Sequence, residues 1–402
     1  MKKTISLILA IAMLLALGAA CAKKDEPAAP TPTPAAPATA TPDAPPPAPA
    51  TPDAPATEAP PAPPADTGTI GYVTDKVDHQ AREKYNIVYY NYQPSNGANQ
   101  TYESLQKLGD VYNFSVEYLT ANSDPDAYVN NIQTILLKEP DGLIVDITQE
   151  LAARVGEIIE EYDIPTIVVF NNAMDADGHE IIPGVIMDQK VNGQTQVQYL
   201  ADTYKTYWPD AKPEEIALLV LDFSANMDLN ARAVAAEGRF KELFPGNAYY
   251  YGDIASEGWS VEAGYNVANS ILSAHPEVKY WFISGTAEDP ALGGSRAVQA
   301  LKKEDSVLIV SSGSALLTAE WDSGYDGPWK ANYAAPPFLY AATATFGLLA
   351  LIDGRATNET LWADQFLPGD FAARFVLKPE MMTRDNYVEY IGNIMKSFGV
   401  QP

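Results

Sequence analysis

The chain has 402 residues, with 52 acidic residues against 26 basic ones and a formal net charge of −26 at neutral pH. Nucleic-acid binding needs lysine and arginine clustered on one surface, so this excess of acid argues against a nucleic-acid partner. The only cysteine is Cys21, which rules out a disulfide within the chain.

The first residues have the pattern of an export signal. Lys2 and Lys3 precede an apolar run over residues 5–17, and small residues then lead to Cys21. The run is shorter than the about 20 apolar residues that a membrane-spanning helix needs, and its flanks are typical of a secretory signal. A cysteine directly after small residues resembles the lipobox of bacterial lipoproteins, where it is lipid-modified. We predict a signal peptide at residues 1–20 and lipidation of Cys21, which places the mature protein on the outer face of the cytoplasmic membrane or in the periplasm.

A segment rich in alanine, proline and threonine follows the cysteine, over residues 22–68. Such a composition has too little apolar bulk to offset chain entropy, so we predict a disordered linker over residues 21–68. Proline-rich chains favour polyproline II at about 3.1 Å per residue, so the linker would hold a folded part up to roughly 140 Å from a membrane.

The remaining chain alternates short apolar runs with segments whose apolar residues recur at helical spacing. The first set of runs has strand length and lies at 87–92, 115–119, 142–147 and 166–170. After a short extended piece at 185–187 and a helical segment at 194–207, the second set lies at 216–221, 249–251, 278–283 and 307–310. Repeated βα units predict parallel sheets with helices on both faces. Two such sets predict an α/β fold with two doubly wound lobes.

Polar side chains follow the carboxyl ends of these predicted strands, where ligands bind in open parallel sheets. Amides and carboxylates can pair with vicinal hydroxyl groups, and aromatic rings can cover the apolar face of a sugar. The strand-end candidates are Asn96, Asn171, Asn172, Asp228, Arg232, Trp259, Glu288 and Ser312, with Tyr92 as a possible stacking ring on the first strand. Two alternatives remain open: an asparagine after a strand often caps the next helix, and Arg232 could form a surface salt bridge with Asp228.

Motifs for catalysis are missing from the sequence. It contains no P-loop, no dinucleotide-binding fingerprint and no G-x-S-x-G, and none of its three histidines has a metal-ligand spacing. No pair of residues looks like an activated nucleophile with its base. We therefore predict a protein that is not an enzyme and uses no cofactor or metal. An extracellular glycosidase that uses two of Asp146, Asp188 and Asp228 is the alternative from another class.

Two segments, VANSILSAHPEVKYWFISGTAEDPALGGSRA and TRDNYVEYI around Arg384, resemble the type I periplasmic sugar-binding proteins of ABC transporters, the ribose, galactose and arabinose group. More broadly, residues 80–400 are similar to this family. The resemblance implies two α/β lobes joined by a three-strand hinge that close on a sugar. We place the lobes at 69–187 plus about 332–370 and at 188–331 plus about 371–402, with candidate crossings near 185–188, 331–334 and 373–376.

The resemblance also implies roles for particular residues. Asn96 matches the polar ligand residue after the first strand, and Asn171-Asn172 match the adjacent pair after the fourth. Arg232 matches the family arginine in the first helix of the second lobe, with Asp228 one turn before it. Trp259 matches a stacking aromatic residue of that lobe.

Three positions depart from the family pattern. Ala98 and Asn99 stand where the family has an aromatic residue. Ala287 replaces a ligand asparagine before the acid Glu288, and Ser312 replaces an acidic ligand.

Together these observations predict a lipid-anchored, monomeric, extracytoplasmic solute-binding protein. It would capture a small polar ligand, a sugar or sugar derivative, by lobe closure and deliver it to an ABC transporter permease. The alternatives within the same class are a nucleoside-binding protein and a sensor lipoprotein for a histidine kinase.

The proposed anchor has a direct test. Cys21→Ser should release the protein from membranes, because the lipid is its only expected attachment. A truncated protein that begins at Thr69 should keep full ligand binding, because the linker contributes no binding residue. Membrane fractionation and calorimetry check the two expectations, and loss of binding after truncation would count against a passive linker.

Overall fold

The computed structural model describes residues 77–401. The predicted signal peptide, Cys21, the linker and residues 69–76 of the predicted first lobe lie outside the described residues. Over the described part of the chain, none of the helices has the length and apolar character needed to cross a bilayer.

The described chain begins with βα units in the order that the apolar runs predict. The first set consists of β1 (Tyr85–Asn91), α1 (Asn96–Tyr112), β2 (Phe114–Thr120), α2 (Pro125–Leu136), β3 (Gly142–Asp146), α3 (Gln149–Tyr162), β4 (Thr166–Phe170) and β5 (Gly184–Met187).

The second set follows without a break. It consists of α4 (Gln189–Tyr207), β6 (Ile216–Asp222), α5 (Met227–Leu243), β7 (Tyr249–Asp253), α6 (Val261–Ala274), β8 (Tyr280–Gly285), α7 (Glu288–Ala300), β9 (Val307–Ser312), α8 (Leu316–Asp322) and β10 (Trp329–Ala334). The chain then continues through α9 (Pro337–Ile352), β11 (Arg374–Leu377), β12 (Glu380–Thr383) and α10 (Tyr387–Ser397).

These strands form two six-stranded sheets of matching topology. The first has the order β11-β5-β4-β3-β1-β2 and the second the order β12-β10-β9-β8-β6-β7. All pairings are parallel except that of β12 with β10, which is antiparallel. The predicted pair of doubly wound α/β lobes is confirmed. The direction of winding reverses between β1 and β3 and between β6 and β8, and these switch points open a crevice at the carboxyl ends of both sheets.

The chain crosses between the two sheets three times. It leaves the first sheet after Met187, returns after Ala334 to pack α9 on the core of the first lobe, and crosses once more between Leu377 and Glu380. These crossings lie beside the positions expected from the sequence.

The lobe boundaries differ from the expected ones near the C-terminus. Residues 371–402 were assigned to the second lobe, but β11 pairs with β5 in the first sheet, and Met395, Phe398 and Val400 pack in the core of the first lobe. Likewise β10 extends the second lobe to Ala334. The reason is that edge strands and the last helix are placed by long-range pairing, which local apolar periodicity does not report.

Glycine allows the closest helix contact of the second lobe, between α4 and α5. A Cβ on Gly193 would lie 2.0 Å from the backbone oxygen of Arg232 and 2.9 Å from the backbone nitrogen of Ala236. Both obstacles are main-chain atoms of α5, so they can yield only if the helices separate.

We expect Gly193→Ala to destabilise the protein by about 1–3 kcal/mol through this overpacking. Gly238→Ala is the matched control, because Gly238 lies on α5 with nothing within 4 Å of its added Cβ. Since alanine is the better helix former, the control should gain about 0.5–1 kcal/mol. Denaturant unfolding measures both, and equal stabilities for the two variants would contradict the packing argument.

Candidate functional site

The crevice between the lobes brings together two of the residues predicted from the sequence. Asn172 follows β4 of the first lobe and Asp228 lies in the first turn of α5 in the second. Asn172 Nδ2 donates to Asp228 Oδ1 at 3.4 Å, directly across the gap. Both residues line a cavity of about 510 Å³. The burial of Asp228 raises the pKa of its carboxyl, and the charge of Arg232 acts in the opposite direction.

A carboxyl group at the end of β3 is the centre of the first lobe's contribution. Asp146 accepts hydrogen bonds from Asn91 Nδ2 at 2.7 Å and from Asn171 Nδ2 at 2.9 Å. Burial raises the pKa of this carboxyl to about 7, although both amides act to lower it. The side-chain oxygen of Asn91 is buried without a hydrogen-bond partner. A buried carboxyl beside an unpaired amide oxygen is suited to exchange hydrogen bonds with a hydroxyl-rich ligand.

A strained turn positions the two asparagines after β4. Phe170 has a φ of 72°, and the backbone N–H of Asn171 donates to the carbonyl oxygen of Val169 at 2.9 Å. This is a γ-turn with a positive central φ, a conformation that is rare and strained for an aromatic residue. The Phe170 ring packs on Tyr340 of α9, with centroids 4.4 Å apart, so tertiary packing holds the turn.

Arg232 is the buried cation of the site, and only 5% of its surface is exposed. Its Nε donates to Gln189 Oε1 at 3.0 Å, Nη2 donates to the same oxygen, and Nη1 donates to the carbonyl oxygen of Thr286. A guanidinium has five N–H groups, so two remain for another acceptor. Burial lowers the pKa of Arg232 to about 10, which leaves it charged at neutral pH.

The alternative of a surface salt bridge for Arg232 is wrong. The side chain is buried, and the ion pairs found over residues 77–401 do not join it to Asp228.

Three other predicted residues lie at strand ends but outside this cluster. Asn96 is exposed at the start of α1, directly after the capping residue Ser95. Tyr92 turns its hydroxyl to the carbonyl oxygen of Ser123, 3.2 Å away. Trp259 stands edge-to-face against Phe223 with centroids 5.2 Å apart, which places an aromatic pair at the second lobe's strand ends.

Two residues expected to bind ligand have internal roles instead. The carboxylate of Glu288 accepts four hydrogen bonds: three from the backbone N–H groups of residues 315–317 at the start of α8, and one from Asn332 Nδ2 at 2.8 Å. Ser312 Oγ accepts from Asn192 Nδ2 at 2.9 Å and donates to the carbonyl oxygen of Tyr333 at 3.4 Å. Since their hydrogen-bonding groups are used within the lobe, we remove both from the set of ligand residues.

A cluster of acids and histidine also occurs where the sequence showed no metal-ligand spacing. Asp175, Asp177 and His179 place possible ligand atoms within 4.8 Å of one another in the connection between β4 and β5. Asp175 Oδ1 accepts from the backbone N–H groups of the other two residues at 2.9 Å. These bonds account for the turn, so the cluster is explained by loop geometry.

Comparison with known families assigns the chain to one of them. The sequence matches the family model for the periplasmic binding protein domain over residues 87–356. The chain belongs to this family.

Individual relatives resemble this periplasmic binding protein over different shares of its length. It is 26% identical over 214 residues to the L-arabinose-binding periplasmic protein of Escherichia coli K12, a match that covers 52% of this chain and 63% of that protein. The match therefore spans less than two thirds of the relative.

Solved structures share the fold at low sequence identity. A solute-binding protein of Actinobacillus succinogenes with bound D-allose has a TM-score of 0.61 and 16% identity, covering 77% of this chain and all of that one. An arabinose-binding protein of Geobacillus stearothermophilus has a TM-score of 0.59 and 16% identity, covering 76% and 99%. The fructose-binding periplasmic domain of a hybrid two-component system has a TM-score of 0.60 and 15% identity, covering 78% and 98%.

Several residues of the candidate site are not in the set of binding residues predicted from the sequence. Asp146 lies at the end of the third predicted strand, so its position already favours the crevice, but it is not among the residues assigned to the ligand. Gln189 and Thr286 hold Arg232 through contacts across 43 and 54 residues of sequence. Asn91 points from the last position of β1. These contacts join segments that are distant in the sequence, so only the folded chain reveals them.

The pKa of Asp146 leads to a pH prediction. In the folded protein the Asp146 carboxyl keeps its proton up to about pH 7, whereas in the unfolded chain it loses the proton near pH 3.8. The native state therefore binds more protons between these values, and the free energy of unfolding should fall as the pH rises through that window. Asp146→Asn should flatten this slope, and rotation of the Asn91 amide would give the new side-chain amide a partner.

Denaturant unfolding from pH 5 to pH 8 measures the slope. Glu180→Gln is a second reporter, because burial raises the pKa of Glu180 to about 7 as well. Each variant should lose part of the slope and the double variant more. An unchanged slope in Asp146→Asn would contradict the protonated carboxyl.

Proposed function

We propose that this protein is an extracytoplasmic solute-binding lipoprotein of an ABC transporter, which captures a small polyhydroxylated ligand, a sugar or sugar derivative, between its lobes. The observation that carries the proposal is the convergence of Asn172 and Asp228 across a cavity at the strand ends. Family membership supports the extracytoplasmic location. Lipidation of Cys21 and delivery to a membrane permease belong to the same proposal, with the protein acting as a monomer.

The chemistry of the crevice suits hydroxyl groups. Arg232 offers two N–H groups, Asp228 offers carboxylate oxygens, and the side-chain oxygen of Asn172 is buried without a partner. Adjacent hydroxyls of a sugar can donate to the oxygens and accept from the guanidinium at once. Trp259 and Phe223 supply an aromatic surface at the strand ends of the second lobe.

Lobe closure follows from the same geometry. A ligand that bonds to both Asn172 and Asp228 has more partners when the lobes are together than when they are apart. It therefore stabilises the closed state by its differential affinity for the two states. Over residues 77–401 the lobes are joined by the three crossings and by α10, which leads from β12 back to the core of the first lobe, so bending at these connections moves one lobe relative to the other.

Binding without catalysis is the better account of the acidic residues. Asp188 Oδ1 accepts from the backbone N–H of Val191 and caps α4. Asp146 accepts from two asparagine amides. Two of the three carboxylates considered for a glycosidase therefore have positional roles. Candidate sugars incubated with the protein should therefore remain chemically unchanged.

A sensor that reports to a histidine kinase is the second candidate. It is supported by the fold shared with the fructose-binding periplasmic domain of a hybrid two-component system. Ligand uptake into cells that lack the gene separates the roles, because a transport component is required for uptake and a sensor for induction of target genes.

Ligand identity is tested first by thermal shift with sugars, polyols and nucleosides. A ligand at 100 times its Kd adds about 2.7 kcal/mol to stability. Absence of a shift with every sugar and polyol, together with a shift from a nucleoside, would replace the ligand class proposed here.

Arg232→Ala should weaken binding of the best ligand by about 2–4 kcal/mol, because charge-assisted hydrogen bonds are lost. Arg239→Ala is the matched control. Arg239 lies two turns along the same helix and also donates to a glutamine of α4, Gln198, but it is far from the crevice. Isothermal titration gives both affinities, and a Kd for Arg232→Ala within threefold of wild type would refute the assignment.

A further inference from the structure

One wall of the cavity between the lobes comes from outside the strand ends. The α9–β11 connection, residues 353–373, places Gln365 and Leu367 against the cavity, and Arg374 at the start of β11 completes this wall. Asn172, Asp228 and Gln189 line the same cavity.

Hydrogen bonds and packing hold the α9–β11 connection in place. The Trp362 ring is buried and stands edge-to-face to Phe375 of β11 at 5.5 Å. Gln365 Oε1 accepts from the backbone N–H of Val376 at 2.9 Å. Asp370 Oδ1 accepts from the backbone N–H of Glu180 at 2.9 Å. The segment is thus anchored to the hinge strand β11 and to the β4–β5 connection.

Donors on this wall have unused hydrogen-bonding capacity. Arg374 Nη2 donates to Asp370 Oδ2 at 3.0 Å, while its Nε is buried and has no partner. Gln365 uses its oxygen on the backbone of β11, and the hydrogen bonds found over residues 77–401 leave its amide nitrogen without an acceptor. Arg374 Nη1 also lies 3.7 Å from Glu180 Oε2. Its Nε is therefore the buried donor that lacks a partner on this wall, and buried donors are normally satisfied, so a ligand oxygen there would complete the pairing.

The same wall is also apolar. Leu367 is 50% exposed, and Ile186, Met187 and Val376 line the cavity beside it. Covering an exposed leucine with an apolar group removes apolar surface from water and so favours binding of that group. The cavity therefore has a hydroxyl-binding side at Asn172 and Asp228 and an aliphatic side at Leu367.

We propose that the α9–β11 connection selects polyhydroxylated ligands that carry a small aliphatic substituent, with the substituent on Leu367 and a neighbouring oxygen accepting from Arg374 and Gln365. This inference rests on the proposed function and names its ligand class. Each methylene buried on Leu367 should tighten binding about fourfold.

Matched glycosides test the proposal by isothermal titration. The probes are L-arabinose, D-ribose and D-galactose, each as the free sugar, the methyl glycoside and the propyl glycoside. Wild-type protein should bind the propyl glycoside of at least one sugar about sixteenfold more tightly than the methyl glycoside, at about fourfold for each of the two added methylenes. Leu367→Ser should bring these two affinities within twofold of each other.

Phe371→Ser is the matched control, because Phe371 lies on the same connection, is 61% exposed and does not line the cavity. It should leave the alkyl preference unchanged. Leu367→Ala, a milder change, should reduce the preference in the same direction as Leu367→Ser.

The outcomes distinguish this inference from the function on which it rests. Free sugars that bind while their glycosides bind no more tightly would overturn the alkyl preference alone. An alkyl preference that survives Leu367→Ser would overturn the assignment to this wall. If neither free sugars nor glycosides bind, the proposed function fails and the inference fails with it.

Discussion

The contact between Asn172 and Asp228 is the point at which the two lobes meet through side chains that neither lobe satisfies alone. Each residue lies at the carboxyl end of its own sheet, where the backbone of a parallel sheet ends and side chains must find new partners. The side-chain oxygen of Asn172 has no hydrogen-bond partner, and the hydrogen bond from Asn172 Nδ2 to Asp228 Oδ1 is long at 3.4 Å. A crevice lined by such groups gains more from a hydroxyl-rich ligand than from its own cross-cleft pairing.

The position of Arg232 depends on the hinge as well as on its own helix. Gln189, whose side-chain oxygen accepts from the guanidinium, begins α4 directly after the first crossing at Asp188. Movement at that crossing therefore moves the residue that orients the cation. Gly193, one turn further along α4, sets the distance between α4 and the backbone of Arg232. The first crossing, the packing of α4 on α5 and the Arg232 guanidinium are thus connected through Gln189 and Gly193.

In the second lobe, two positions that the family resemblance assigns to the ligand make hydrogen bonds within the lobe. Glu288 lies where an acid was expected to face the ligand, but it caps α8 and accepts from Asn332. Ser312 bonds to Asn192 and to the backbone of β10. A hydrogen-bonded network inside the lobe therefore occupies positions assigned to ligand residues. The α9–β11 connection, which contributes Leu367 to the cavity, belongs to the first lobe.

The sequence by itself determined the alternation of strands and helices, the two doubly wound lobes and the polar character of the strand ends. These features are encoded locally, because apolar periodicity and strand length are read over a few residues. It also predicted Asn172 and Asp228 as strand-end residues, which the structure brings within 3.4 Å of each other. Only the tertiary structure decided that Glu288 is a cap, because its four donors lie 27 to 44 residues away. The positive φ of Phe170, the pairing of β11 with the first sheet and the contribution of Leu367 to the cavity likewise depend on distant segments packing together, and no local pattern reports such packing.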